Sequence, residues 1–402
     1  MLTAMVRYLC GALALCVACG SALAADSPLL AYGARIAGDD ARTRVVIEFD
    51  RAPDFFVHYV ADPVRVIIDL PETSFGLKEE DMEARGLLSD IRYGAMGAGS
   101  SRIVLTAKEP IEVSLAEVKP DEDNKGFRLV LDTERVSKKQ FADLIDAQKW
   151  TGSVVAAKTG RVTAPEPKTE NGTFVVAVDA GHGGIDTGAI GTETKTVEKD
   201  VTLAFARDLV DHLNRRAGIK AFLTRDGDEF LSLPQRVQIA RRQSANLFIS
   251  LHADTLKQRD IRGATVYTIS DKASDHLAAS LAERENLSDT IAGVALSNEP
   301  AEVADILLDL TRRETQAFSV NLAQTIVSSF EGQINLINNP HRYAGFRVLQ
   351  APDVPSILLE LGFLSNKEDE KLLVDPAWRA KLSELLAGAV GNYRTATVAN
   401  GG

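Results

Sequence analysis

The sequence predicts an all-β sandwich on the N-terminal side, followed by an α/β domain whose mostly parallel sheet is flanked by helices. Three observations carry this. Thr43–Asp50 and Arg65–Leu70 are short alternating segments, and the pair recurs as Ser101–Thr106 and Phe127–Asp132. Period-two alternation broken by turn residues marks antiparallel strands with one buried face, and the recurrence suggests an internal duplication. Later, Phe174–Val178 and the run inside Asn246–His252 are continuously apolar, as in parallel strands buried on both faces. Between them Val197, Val201, Phe205, Leu209 and Leu213 recur at helical spacing. A chain of 402 residues has room for both domains.

Residues 1–24 read as a secretory signal peptide. Arg7 gives a basic start, Tyr8 to Cys19 is apolar, and Ala22-Leu23-Ala24 is a small-x-small cleavage site. The apolar run is short for a span of about 20 residues, so the mature form is expected to have no stable membrane span. Without a twin arginine, the general secretory route is expected, and lipid attachment at Cys19 is the alternative. The expected location is the periplasm. Cys10, Cys16 and Cys19 are the only cysteines, so the mature chain would have neither a disulfide nor a thiol nucleophile. A formal net charge of −11 offers no basic excess for phosphates and excludes general nucleic-acid binding.

The β domain is expected over 28–135. It carries no catalytic-looking cluster, and His58 reads as an ordinary strand residue. A linker follows over 136–172, with a short helix within Lys138–Trp150 and then Pro165 and Pro167 among polar residues. The α/β domain is expected over 173–395.

Candidate chemistry collects at the ends of its strands. The first strand runs into AGHGGIDTGAIG, a glycine-dense turn around His182. Neither dinucleotide spacing nor a P-loop ending is present, which argues against a phosphate loop. Glu198 opens the next helix, where a carboxylate also suits the helix dipole. A second buried-type strand ends in His252, and Glu360 interrupts the apolar run Ser356–Phe363. A buried carboxylate needs a partner or a role. His182, Glu198 and His252 have the composition of a catalytic zinc site, with a fourth position open to water. Glu360 is then the candidate base for that water.

These motifs (VDAGHGGIDTGAIG, TVEKDVTL, TRDGDEFLSLPQR, ANLFISLHAD and LLELGFLSN) resemble the zinc-dependent N-acetylmuramoyl-L-alanine amidases of the Amidase_3 type, from about Thr173 to Tyr393. The duplicated β domain resembles the AMIN domain, which binds the cell wall ahead of such enzymes. The resemblance implies one Zn2+ held by His182, Glu198 and His252, with Glu360 activating water. The bond cleaved would join N-acetylmuramic acid to the L-alanine of the stem peptide in peptidoglycan. Arg236 and Asp254 would support the site or touch substrate, Asp254 by orienting a ligand histidine. In division-associated members of the family, which split septal wall, a helical insertion between the second histidine and the catalytic glutamate can cover the zinc. A LytM-type activator then relieves the block. Glu285 is the expected plug here, with Glu302 as the alternative. Two rival readings stand beside this one: an inert wall-binding protein, and a zinc peptidase acting on another stem-peptide bond.

Overall fold

The structure, a computed structural model, describes residues 27–97, 99–121, 125–148, 173–294 and 306–399. The expected signal peptide, most of the expected linker and Glu302 lie outside the described residues.

Nine strands build the β domain: β1 Leu29–Gly38, β2 Arg42–Phe49, β3 Phe56–Val60, β4 Arg65–Pro71, β5 Thr73–Phe75, β6 Leu88–Met96, β7 Ser100–Ala107, β8 Ile111–Pro120 and β9 Phe127–Arg135. They form two sheets, β5-β1-β2-β9-β8 and β3-β4-β7-β6. The duplicated segments interleave: β2 pairs with β9 and β4 with β7, so each sheet takes one central strand from each copy. Val45, Ile47, Val66, Ile68, Ile103, Leu105, Leu129 and Leu131 fill the space between the sheets. The short parallel pairing of β1 with β5 is the one departure from an antiparallel sandwich among the described residues.

Helix α1, Lys138–Ala147, opens on a capping box formed by Ser137 and Gln140. Its Phe141 is buried, with its ring centroid 6.0 Å from that of Tyr59. Gln148 then holds the Tyr59 backbone, accepting from its N–H at 2.9 Å and donating to its carbonyl at 2.8 Å. This first part of the expected linker is therefore packed against the β domain.

The α/β domain begins with β10 Phe174–Ala180, α2 Glu198–Asn214, β11 Ile219–Leu223, α3 Leu233–Arg242 and β12 Leu247–His252. It continues with β13 Ala264–Ile269, α4 His276–Glu285, α5 Ser288–Ile291 and α6 Ile306–Phe330. β14 Leu336–Ala344, β15 Ser356–Glu360, α7 Lys367–Val374 and α8 Pro376–Ala399 complete it. The six strands are ordered β11-β10-β12-β15-β13-β14. All pairings are parallel except β13 with β15. One face packs Val178, Ile249 and Leu359 against α2, α6 and α8, and the other packs Phe248 and Leu358 against α3 and α4. Among the described residues no helix is long and apolar enough to cross a membrane.

His341, beside Pro340, lies in β14 and meets Thr268 Oγ1 at 3.1 Å. Proline is tolerated there because β14 is an edge strand and its register shifts. Helix α6 runs on to Phe330, because Leu322, Ala323, Ile326 and Phe330 continue the buried stripe.

The central strands β10, β12 and β15 run parallel, so the His182 turn, His252 and Glu360 emerge at the same end of the sheet. His252 and Glu360 are direct register partners. This is the end at which open α/β sheets bind ligands.

If α1 is part of the β domain, Phe141→Ala lowers that domain's unfolding free energy by about 3 kcal/mol. Denaturant unfolding followed by Tyr fluorescence measures it. A loose linker helix would leave the transition unmoved.

Candidate active site

The His182 turn is built from backbone that needs help. His182 has φ 61°, followed by Gly183 at 128° and Gly184 at 56°. Only glycine takes such values freely, so His182 is held in the left-handed region by its surroundings. Gly188 is required for another reason: a Cβ there would lie 2.6 Å from Glu198 Oε2 and 2.7 Å from His182 Cδ2. The carbonyls at the strand end point away from the sheet ladder, and two buried arginines satisfy them. Arg236 donates to the carbonyls of Ala180 (2.7 Å), His182 (2.8 Å) and Leu231 (3.0 Å), and pairs with Asp179 at 2.9 Å. Arg225 donates to those of Ala180 (2.9 Å) and Gly181 (3.0 Å). Burial, with Arg236 nearby, pulls the Arg225 guanidinium down to about 10. Asp179 also accepts from Thr224 Oγ1 at 2.6 Å and Ser250 Oγ at 2.7 Å. Arg236, expected to support the site or touch substrate, thus braces the turn from beneath.

Around this turn four side chains converge. Glu198 is fully buried, and its oxygens accept from the N–H of Ala189 at 2.7 Å and of Ala253 at 2.8 Å. Its Oε1 lies 3.2 Å from His182 Nε2 and 3.4 Å from His252 Nδ1. Glu285, from the last turn of α4, brings Oε2 to 3.0 Å from His252 Nδ1 and 3.5 Å from His182 Nε2. Among the described residues, His182, His252 and Glu285 form a group whose donor atoms lie within 4.8 Å of one another. His182 Nε2 and His252 Nδ1 are both buried and make no hydrogen bond within the chain. Two such nitrogens facing carboxylate oxygens give the donor set of a tetrahedral cation centre, and the residues fit a zinc ion. Glu285, expected as the plug, sits among these donor atoms.

Charge follows from this crowding. Burial opposes a charged His252, but Glu285 and Glu198 outweigh it and raise the imidazole to about 10. Burial likewise disfavours charged His182, yet Glu198, Asp186 and Glu285 hold it well above the usual range. Glu198, opposed by burial, is held well below the carboxylate range by the two imidazoles.

Glu360 is fully buried. Its Oε2 accepts from Asp254 N at 3.0 Å, while Oε1 makes no hydrogen bond within the chain. Burial raises its carboxyl well above the usual range despite the opposing charge of His252. Asp254 turns to α4 rather than to a histidine, accepting from Arg284 Nη2 at 2.6 Å. Burial and the charges of Glu198 and Glu285 push it up to about 6. The carboxylate that orients a histidine belongs to Asp186, 2.9 Å from His182 Nδ1. Sequence reasoning missed Asp186, although its position four residues after His182 inside the turn motif was a usable signal. Ser288, from α5, donates to Asp186 at 2.5 Å and was missed too.

The insertion lies directly on the site. Glu285 and Asn286 line the cleft with His182 and His252. A carboxylate in the last turn of a helix opposes the dipole, and the two imidazoles offset that cost.

Two outcomes follow for the site. Asp186→Ala frees the His182 ring and lowers metal affinity roughly 10–100-fold by competition with a chelator, with the fold intact by circular dichroism. His252 is protonated near neutral pH in the metal-free protein and must be bare at Nδ1 to ligate. Metal binding therefore releases protons, and affinity climbs with pH up to the imidazole value. Calorimetry in two buffers of different ionisation enthalpy reads this directly; equal heats would contradict it.

Comparison with known proteins agrees with this geometry. Residues 176–392 match the model of the N-acetylmuramoyl-L-alanine amidase family, and residues 33–132 match the AMIN domain. The N-acetylmuramoyl-L-alanine amidase AmiC of Escherichia coli is 31% identical over 385 residues, covering 92% of this chain and 90% of the relative. AmiC of Neisseria meningitidis is 30% identical across 91% of this chain and 90% of the relative. AmiA of Escherichia coli is 40% identical over 230 residues, covering 57% of this chain and 79% of the relative. The family match over residues 176–392 and the similarity to relatives along most of the chain make this protein a member of the N-acetylmuramoyl-L-alanine amidases, with an AMIN domain ahead of the catalytic domain.

Proposed function

We propose that the chain is an exported zinc amidase that cuts septal peptidoglycan during cell separation and is held inactive by its own insertion. The observation that carries the second half is Glu285 Oε2 at 3.0 Å from His252 Nδ1 and 3.5 Å from His182 Nε2. In this reading His182, Glu198 and His252 hold the metal, and Glu285 takes the position that water and the substrate carbonyl need. Bound there, zinc lowers the pKa of water to about 7 and polarises the scissile carbonyl.

The chain's own residues do the rest. Asp186 fixes His182 in the Nδ1–H tautomer, which leaves Nε2 free to ligate. The unpartnered Oε1 of Glu360 accepts the proton of the attacking water and passes it to the departing alanine amine. The Asp254 N–H steadies Oε2 of Glu360 meanwhile. A raised carboxyl pKa suits that exchange, because the proton must both arrive and leave near neutral pH.

Removing the block means withdrawing α4. Arg284 must release Asp254, Glu285 the histidines, and Ser288 Asp186. A LytM-type activator is the proposed agent. Periplasmic location and cleavage of the segment over 1–24 complete the reading; the family's substrate is met only after export, and the acidic chain suits no nucleic acid.

Digestion of purified peptidoglycan by the mature protein, with products read by mass, tests this. Glu285→Ala raises basal release of peptides starting with free L-alanine about tenfold or more, and EDTA abolishes it. Adding Glu360→Gln to that variant lowers the rate by about 10²–10⁴. Cleavage at another bond would move the assignment to a stem-peptide peptidase. No cleavage by Glu285→Ala with zinc bound would favour an inert wall-binding protein.

A further inference from the structure

The β domain covers the far end of the blocking segment, and it does so with a surface that a free sandwich would show to water. In β4, Val66, Ile68 and Leu70 face the sandwich core, and in β7 so do Ile103 and Leu105. The alternate residues Arg65, Ile67, Arg102 and Val104 point outward, where antiparallel sheets are usually solvated. All four are nonetheless buried, with 4%, 0%, 5% and 1% of their surfaces exposed. What covers them is the catalytic domain. Ile67 and Val104 share one apolar cluster with Ala292 of the insertion and with Ile185 and Phe230 of the domain body. Arg102 donates to the Ala292 carbonyl at 2.9 Å, and Arg65 donates to the Thr290 carbonyl. Both carbonyls lie in the turn that ends α5, where Thr290 O also accepts from Gly293 N at 3.0 Å.

The same sheet also grips the fixed side of the seam. Phe230 N donates to Ala95 O at 3.1 Å, and Gly97 N to Phe230 O at 3.2 Å. A Cβ on Gly94 would lie 2.5 Å from the backbone N of Ile185, so β6 meets the His182 turn backbone to backbone.

We infer that the outer face of β4 and β7 is a brace for the blocking segment, so that undocking the β domain loosens the plug. This rests on the blocked-site reading above. A surface that holds both the domain body and the movable segment resists their separation. Opening the site must break the Arg65 and Arg102 contacts or carry the β domain along.

The test uses the full mature chain with Ile67→Ser/Val104→Ser, changes on the outer face that leave the sandwich core in place, together with the bond that Arg102 Nε donates to Asp69 Oδ1 at 2.6 Å. Two readouts are taken: amide hydrogen exchange across residues 284–294, and basal peptidoglycan hydrolysis beside wild type and Glu285→Ala. The expected result is about tenfold faster exchange in 284–294, with a matching rise in hydrolysis, since loosening shifts the open population. Unchanged exchange and hydrolysis, with Glu285→Ala active, would overturn the brace and leave the block standing. Faster exchange while neither variant gains activity would keep the brace and remove the block. Should the double variant not fold, Arg65→Ala, which deletes the Thr290 contact, gives the same two readouts.

Discussion

A buried anion between two buried imidazoles sets the terms for the catalytic half. Glu198 has no water to solvate it, and removing a carboxylate from water costs several kcal/mol unless it is paired. The chain meets that cost with two backbone N–H groups and two histidines, each delivered by a different element. Placement of those elements depends in turn on Asp179 and the arginines beneath the turn. Asp179 bonds Arg236, Thr224 and Ser250, which ties the ends of β10, α3 and β12 together. The polar network is fully buried and specific in geometry, while the apolar layers on either side of the sheet supply bulk.

Much of this was legible in the sequence, because it rests on local patterns. Continuous apolar runs ending in His182 and His252 marked parallel strands with chemistry at their ends. Glu360 stood out as an acid inside an apolar run, and the structure brings it beside His252 in register. The sandwich was legible from alternation and duplication. Its interleaving was not, because alternation fixes which face is buried but says nothing about which strand is the neighbour. Asp186 escaped notice because a carboxylate in a glycine-rich turn looks like ordinary turn chemistry until its partner's ring is seen. Asp254 was read toward a histidine when it meets Arg284, a residue 30 positions on that only tertiary packing brings near.

The docking of the two domains left a trace that alternation alone obscures. In Arg65–Leu70 and Ser101–Thr106 the outward positions Ile67 and Val104 are apolar where a solvated face would be polar. Strands that look too hydrophobic for a sandwich are strands covered on both sides. Here the cover is Ala292 at the end of α5 and the body that carries the His182 turn. Helices α4 and α5, their contacts with Asp254 and Asp186, and the sheet behind them therefore form one continuous contact. In the proposed blocked state, regulation is a competition between this contact and whatever draws α4 away.

The central claim is that Glu285 completes the donor set and keeps water off the metal. Water-proton relaxation of the cobalt-loaded mature protein tests it most directly, because a paramagnetic ion with a bound, exchanging water relaxes bulk water strongly. The account predicts a cobalt centre with no fast-exchanging water in the wild-type protein. An exchanging water bound at that centre, with α4 in place, would contradict it.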